Sequence, residues 1–503
     1  MNRNVAIVGA GATAVGVFAR LAGADGLSQV CLIDPRPAGL GVAFGTSDPA
    51  LLCNTSADVT SLDPDGESGL LRHLSARGWP VRREDFVPRH LVGQYLREEF
   101  LARRAQARAR GVRVRQAADR ATAVRRAGGG YAVELAGGGR VTATDVLLCP
   151  GLEQPRLPAV LARHAGRPRL LTSPYPVERL RALPPSARVL VLGSKLSAID
   201  AALVLCRDGR TVTMASPSGR LPAVRTRLTR QDTPRLDHAA WAAHHPDDPD
   251  LDGLVLRGVL RAMAAAGGGR PRWRAPRDEA GALQRLDGDL ARAEAGALPW
   301  QDLVAEIIDL VNETTAGWDP AHRSAVLARH AEPVSRYISA IPLANARLLA
   351  GHLAKGTLTV TAGIPETVTA RPDGFTVRWP DGTQGVVDHI VCATGFGKPA
   401  LHTTPGRDGV LLGDGPDGPG GRAPREAPEL TERLRLRFAP GAPEERVWVL
   451  GAASHPRAAI VNYLRTAALQ ARLVGDQLAR RPAPARTSRP PRTSRPTDGR
   501  PPA

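Results

Sequence analysis

The sequence predicts an α/β protein made of two copies of one unit, each a parallel sheet entered through a glycine turn. Three observations predict it. Val5-Ala-Ile-Val-Gly-Ala-Gly11 is an apolar strand running into glycines, and Arg188-Val-Leu-Val-Leu-Gly-Ser-Lys195 repeats the pattern. The third observation is a pair of strand-ending runs, Asp145–Gly151 and Asp388–Gly395, each with an Asp four residues before a Cys.

In the first unit, the short apolar run reads as a strand buried on both faces. Gly9 permits a tight turn, and Gly11 lets backbone N–H groups approach a pyrophosphate at the start of a helix. Ala14 stands at the third position of that fingerprint, with Gly16 beyond it. A second strand, Gln29–Asp34, ends on an acid roughly 20 residues after the glycines, where a ribose-binding carboxylate is expected. A meander of Val112–Arg115, Ala121–Arg126 and Tyr131–Leu135 is expected before Asp145. The second unit repeats the order: the turn at Gly193, a strand at Thr211–Ala215, and a meander of Leu358–Thr361, Glu366–Ala370 and Phe375–Trp379. Both units therefore read as Rossmann-like dinucleotide-binding domains.

Residues 1–184 and 391–479 are assigned to a discontinuous first domain and 185–390 to the second. A helical insertion over about 221–349 caps the cleft, and its Leu303–Val311 periodicity reads as a packing helix. The Gly/Pro/Asp-rich stretch 402–428 is expected as a surface loop. A strand at Arg446–Gly451 and a helix from about Ala459 to Leu478 finish the fold. The tail from 480 to 503 is read as disordered on composition.

The net charge of +18 is carried almost wholly by scattered arginines, since Lys occurs only at 195, 355 and 398. With aromatics at 4%, the chain lacks a base-stacking platform, so nucleic acid is not expected as a partner. No apolar run approaches membrane-spanning length, so no membrane partner is expected either. The five cysteines form no Cys-x-x-Cys pair, which suits a reducing cytoplasm and gives no metal site.

These motifs resemble the two-dinucleotide-binding-domain flavoproteins, with a glutathione-reductase-like arrangement, over residues 1 to about 480. Within that class the chain looks like the bacterial FAD/NAD(P)-binding protein family. Gly41–Asn54, Phe86–Leu96 and Gly219-Arg-Leu-Pro222 carry that resemblance. It is similar, more distantly, to N-hydroxylating flavin monooxygenases through Asp388–Phe396 and Thr172-Ser-Pro-Tyr175. The resemblance implies FAD and NADPH as cofactors. Gly9, Gly11, Ala14 and Asp34 are implied to hold the adenosine end of FAD. Phe44 and Asn54 fall in the loop beside the flavin, and Thr394 and Gly395 close over it.

In the second turn the resemblance implies an NADPH loop of Gly193, Ser194, Lys195 and Ser197, with Lys195 where the family usually has glycine. Two readings stay open: Lys195 supplies charge to the pyrophosphate, or the site has become structural. Ser216, Ser218 and Arg220 suit a 2′-phosphate. Cys53 has no partner cysteine nearby, which argues against disulfide chemistry. His455 is the catalytic candidate, with a solvent-exposed loop histidine as the alternative. Arg336, Tyr337 and Asn345 are candidates for a substrate pocket or for plain packing.

The expected activity is FAD-dependent, NADPH-using oxidation. Hydroxylation of an amine on a small biosynthetic molecule, with molecular oxygen as co-substrate, comes first. The alternatives are a flavin reductase or dehydrogenase without oxygen insertion, and a non-catalytic flavin-binding protein.

Overall fold

The computed structural model describes residues 3–64, 68–266, 281–413 and 426–479. The tail assigned to 480–503 lies outside the described residues. The first unit is centred on a five-stranded sheet in the order Val447–Val449, Asp145–Leu148, Arg3–Val8, Leu27–Ile33, Arg113–Ala117, with every pairing parallel. Val8 is in register with both Ile33 and Leu148, so Gly9, Asp34 and Cys149 leave the sheet along one edge.

Alternation along the first strand explains the layers. Val5 and Ile7 pack with Val15, Phe18 and Leu21 of the helix Ala12–Leu21. Ala6 and Val8 pack on the opposite face with Val124, Tyr131 and Val133. Those residues belong to an antiparallel sheet over Ala121–Ala127, Gly130–Leu135 and Arg140–Ala143. Both faces are covered, so each strand position can be apolar.

The second unit repeats this plan. Its parallel sheet runs Leu358–Ala362, Thr211–Ser216, Arg188–Leu192, His389–Cys392, Leu170–Leu171. Val189 and Val191 face the helix Leu196–Arg207, while Leu190 and Leu192 pack with Val368, Phe375 and Val377 of a three-stranded meander. Asp388 lies at the entry to the strand, where it accepts the Arg188 amide at 2.7 Å and an Arg188 guanidinium contact at 2.8 Å. The repeated Asp therefore pins strand starts in this unit, at the opposite end from the glycine turn.

Four sequence expectations are corrected here. Val112–Arg115 and Leu358–Thr361 do not begin meanders; Arg113–Ala117 and Leu358–Ala362 are outer strands of the parallel sheets. The stretch 402–428 is not simply a loop. Leu401–Thr403 and Gly409–Leu412 form a hairpin that extends the first antiparallel sheet through Val410 and Val124, and residues 414–425 lie outside the described residues. The boundary at 391 falls inside the strand His389–Cys392, which belongs to the second sheet. The final helix begins at Leu464, five residues later than expected.

The insertion leaves the second unit through a short parallel pairing of Val224-Arg225 with Ile341-Pro342. Helices between these points include Leu251–Ala265, Ala282–Glu294 and Val304–Thr315. The helix Leu343–Ala354, partly inside the predicted insertion, leads directly into Leu358–Ala362 and shares its apolar cluster. Leu310 is buried, with Ile307 and Val311 partly so, against Trp241, Met263 and Leu303. No described helix is long and apolar enough to cross a membrane.

Candidate functional site: two glycine turns

Gly9 has φ +98°, and a Cβ there would lie 2.1 Å from the Cys149 carbonyl oxygen. Gly193 has φ +127°, and its Cβ would lie 2.5 Å from the Ala393 carbonyl oxygen. Each turn is thus pressed against the strand-ending segment beside it, so only glycine fits.

The next positions follow a different logic. Gly11 precedes the first helix with φ −75° and ψ −169°, which any residue can adopt. A Cβ there would meet only the Gly41 Cα, at 3.9 Å. No side chain caps this helix, so its first N–H groups are left for another partner. An uncapped helix start with open space before it suits a phosphate, and the FAD pyrophosphate fits these residues. Ala14 is fully buried and packs the helix onto the sheet.

Asp34, expected from the sequence at a ribose, is tied into the turn through both carboxylate oxygens. Its Oδ2 accepts the Ala10 amide at 3.1 Å, and its Oδ1 accepts the Arg36 amide at 2.8 Å. The acid therefore holds the glycine turn in shape. Gly39, which donates to the Ala10 carbonyl at 2.8 Å, continues the contact into the Gly41–Asn54 loop. Phe44 and Asn54 are half-buried there, and Phe44 packs against the first core.

In the second turn Lys195 occupies the place equivalent to Gly11, with φ −100° and ψ −171°. The backbone matches the first turn without strain, and the Lys195 side chain is exposed, as Ser197 partly is. The serines are arranged otherwise than expected. Ser194 Oγ donates to Ser216 Oγ and approaches the Arg220 carbonyl, both at 2.8 Å, so these buried hydroxyls brace the turn from within. Arg220 reaches Glu332 of the insertion at 2.9 Å. Of the proposed 2′-phosphate group, Arg220 and Ser218 remain on the outer side.

Thr394 and Gly395 emerge from the second sheet beside Gly193. Thr394 Oγ1 donates to the Arg156 carbonyl at 2.5 Å, and the Arg156 amide donates to the Gly395 carbonyl at 2.9 Å. They join the two units at their crossing rather than belonging to the first sheet.

His455 is half-buried, not a free surface histidine, and its Nε2 lies 3.3 Å from the Pro399 carbonyl. Burial, with Lys398 nearby, lowers its pKa and favours the neutral ring. Of the pocket candidates, Arg336 pairs with Asp289 at 3.1 Å, and the Tyr337 ring meets Trp300 edge-on at 5.0 Å. Asn345 is buried with its Oδ1 unpartnered.

Sequence reading missed the junction between the units. Arg89 Nη2 lies 2.8 Å from Asp200 Oδ2, and Arg89 Nη1 donates to the Tyr175 hydroxyl at 3.1 Å. Tyr175 also donates to Asp200 and stacks on Phe396 at 6.4 Å. Nearby, Asp48 of the Gly41–Asn54 loop is buried between Arg181, at 2.7 Å, and Arg207, at 3.3 Å. Cys53 lies in this junction with burial pushing its thiol up to about 12. All five cysteines are buried and unpaired. Charges far apart in sequence carry no local signal, although Arg89 and Tyr175 both fall in quoted motifs.

Each of the two parallel-sheet units thus carries one glycine turn, and a buried polar junction joins the units. The profile of the FAD-NAD(P)-binding family matches residues 6–153, the part built around the first turn. Over the whole chain the fold is similar to ornithine hydroxylase from Pseudomonas aeruginosa, with a TM-score of 0.58 and 14% identity, covering 95% of this chain and 99% of that one. A bacillithiol disulfide reductase from Staphylococcus aureus aligns at 12% identity and a TM-score of 0.48, covering 95% and 98%. A flavin-containing monooxygenase from Stenotrophomonas maltophilia aligns at 15% and 0.45, with the same coverage. A comparison with curated proteins by sequence returned no match.

Proposed function

We propose that the chain is an FAD-dependent, NADPH-using monooxygenase that hydroxylates an amine of a small biosynthetic molecule. FAD, when bound, supplies the redox centre that accepts hydride and activates oxygen. The chain's own part is to place the nucleotides, exclude water and present the amine. N–H groups at Gly11 and the helix start hold the first pyrophosphate, with Asp34 keeping the turn in shape. Gly193, Lys195 and Ser197 receive the second nucleotide, with Arg220 at its 2′-phosphate. On this reading Phe44, Asn54, Thr394 and Gly395 lie beside the flavin, and His455 serves as a neutral hydrogen-bonding group.

The observation that carries this reading over disulfide reduction is the state of Cys53. It is buried, its thiol is pushed up to about 12, and no second cysteine stands beside it. A thiolate nucleophile is disfavoured there, which leaves oxygen or an organic molecule to receive the electrons. The internally bonded Ser194–Ser216 pair supports a second reading, a flavoprotein whose nicotinamide site is weak.

The test supplies the purified holoprotein with NADPH, oxygen and a panel of amines, and measures oxygen uptake, peroxide and hydroxylamine product. Hydroxylamine formed in step with NADPH oxidation is expected. Turnover of an organic substrate at the same rate without oxygen would replace this reading with a reductase or dehydrogenase. Failure of NADPH to bleach the flavin would favour the non-catalytic alternative.

A further inference from the structure

The loop Gly41–Asn54 is fastened by its last residues to the start of the helix Arg89–Ala109. The Cys53 amide donates to the Val87 carbonyl at 2.9 Å, and the Arg89 amide donates to the Leu51 carbonyl at 2.8 Å. Leu52 and Pro88 form an antiparallel bridge between these two bonds. The Arg89 side chain completes the fastening, since its Nε donates to the Leu52 carbonyl at 3.1 Å.

The same guanidinium reaches into the second unit. Its Nη2 lies 2.8 Å from Asp200, and its Nη1 donates to the Tyr175 hydroxyl, which donates to Asp200 in turn. Asp200 lies on the helix Leu196–Arg207, which begins directly after Lys195 of the second glycine turn. The far end of that helix is tied to the same loop, for Arg207 lies 3.3 Å from Asp48. One helix of the second unit is therefore held to the Gly41–Asn54 loop at two places.

Stability alone does not call for this arrangement, because buried ion pairs are often no more stabilising than apolar side chains of similar volume. Directed contacts add geometry. A guanidinium is a planar, rigid fork, so its three nitrogens fix the Leu52 carbonyl, the Tyr175 hydroxyl and the Asp200 carboxylate relative to one another. A shift of the helix at Asp200 must be passed on to Leu52, or a buried charge-assisted bond must break. Tyr175 also stacks on Phe396, so the segment that follows Thr394 and Gly395 is held by the same group.

We propose that Arg89 is a positioning residue that passes occupation of the second glycine turn to the flavin. The proposal rests on the nucleotide assignments above and adds the route between them. A phosphate settling at the start of Leu196–Arg207 shifts that helix, Asp200 carries the shift to Arg89, and Leu52 carries it into the loop beside the flavin.

The test uses the holoprotein and adenosine 2′,5′-bisphosphate, which has the 2′-phosphate end of NADPH but no nicotinamide ring to meet the flavin. Calorimetry reads its binding, and flavin absorption and fluorescence read the response. The native protein should bind it and change its flavin spectrum. Arg89→Lys keeps a cation opposite Asp200 but loses the fork. This variant should retain flavin and bind the bisphosphate within about twofold of the native affinity, while the spectral change disappears. Destabilisation by itself would lower flavin content or melting temperature without cancelling the response of the flavin that remains. If Arg89→Lys does not fold, Tyr175→Phe decides, since it keeps the ring on Phe396 and removes the hydroxyl between Arg89 and Asp200; its response should fall severalfold. A response of native size in the deciding variant overturns the proposal. Binding to the native protein without any flavin response also overturns it, and leaves the nucleotide assignment standing. Absence of binding removes that assignment and the relay with it.

Discussion

Arg89 and Asp200 meet at 2.8 Å across the junction between the two units, with the Tyr175 hydroxyl bonded to both. Arg89 begins the helix Arg89–Ala109 of the first unit, and Asp200 lies on the helix after the second glycine turn. Burial opposes the Arg89 charge, but Asp200 and Tyr175 more than offset it and raise its pKa. Removing one member leaves the other charged and unpaired, at a cost of about 3 kcal/mol or more. Asp200→Asn should lower thermal stability accordingly and speed proteolysis between the units. An Asp200→Asn protein with native melting behaviour would show that the pair does not hold the junction.

The two glycines of the first turn should fail differently. Gly9→Ala places a Cβ 2.1 Å from the Cys149 carbonyl at positive φ, so the fold itself should suffer, even without cofactor. Gly11→Val meets no closer protein atom than Gly41 Cα at the Cβ position, so the apoprotein should keep nearly native stability. Its side chain would occupy the pyrophosphate space, and the protein should purify colourless. Full flavin occupancy in Gly11→Val would refute the placement of FAD.

Asp48 gives the junction a pH dependence. Burial alone would raise its carboxyl pKa, but the Arg207 hydrogen bond, the Ala50 amide and the charges of Arg207 and Arg181 outweigh burial and lower it. The folded value then lies below the unfolded one, near 3.9. Its contribution is complete above that unfolded value and is lost as pH falls through the folded one. Melting temperature followed from pH 7 to pH 3 should drop more steeply for the native protein than for Asp48→Asn. Parallel curves would assign the acid sensitivity elsewhere.

Arg220 should decide between the two nicotinamide nucleotides. A lost charge-assisted contact to the 2′-phosphate weakens binding by about tenfold or more. Flavin reduction by NADPH should therefore need a higher nucleotide concentration in Arg220→Ala, with NADH nearly unaffected. Glu332→Gln, which removes the negative charge 2.9 Å from the Arg220 guanidinium, should shift NADPH the other way. Equal changes for both nucleotides would make Arg220 structural.

The sequence by itself determined what depends on neighbours along the chain. A strand buried on both faces must be apolar throughout, and a turn pressed against a carbonyl must be glycine, so both units were legible around Gly9 and Gly193. Their outer strands were not: Arg113–Ala117 and Leu358–Ala362 resemble meander strands because edge positions bury fewer residues and read as alternating. The hairpin at 401–412 was hidden by its Gly/Pro/Asp-rich setting, since its pairing partner Ala121–Ala127 lies nearly 300 residues away. Only tertiary structure decided how polar groups are shared. It turned Ser194 and Ser216 toward each other, gave Asp34 the Ala10 amide, and joined Arg89 to Asp200. Apolar patterning is repeated at every turn of a helix or strand and survives being read locally. A hydrogen bond or ion pair needs one partner within about 3 Å, and only the assembled fold says which of 67 cations meets which of 49 acids.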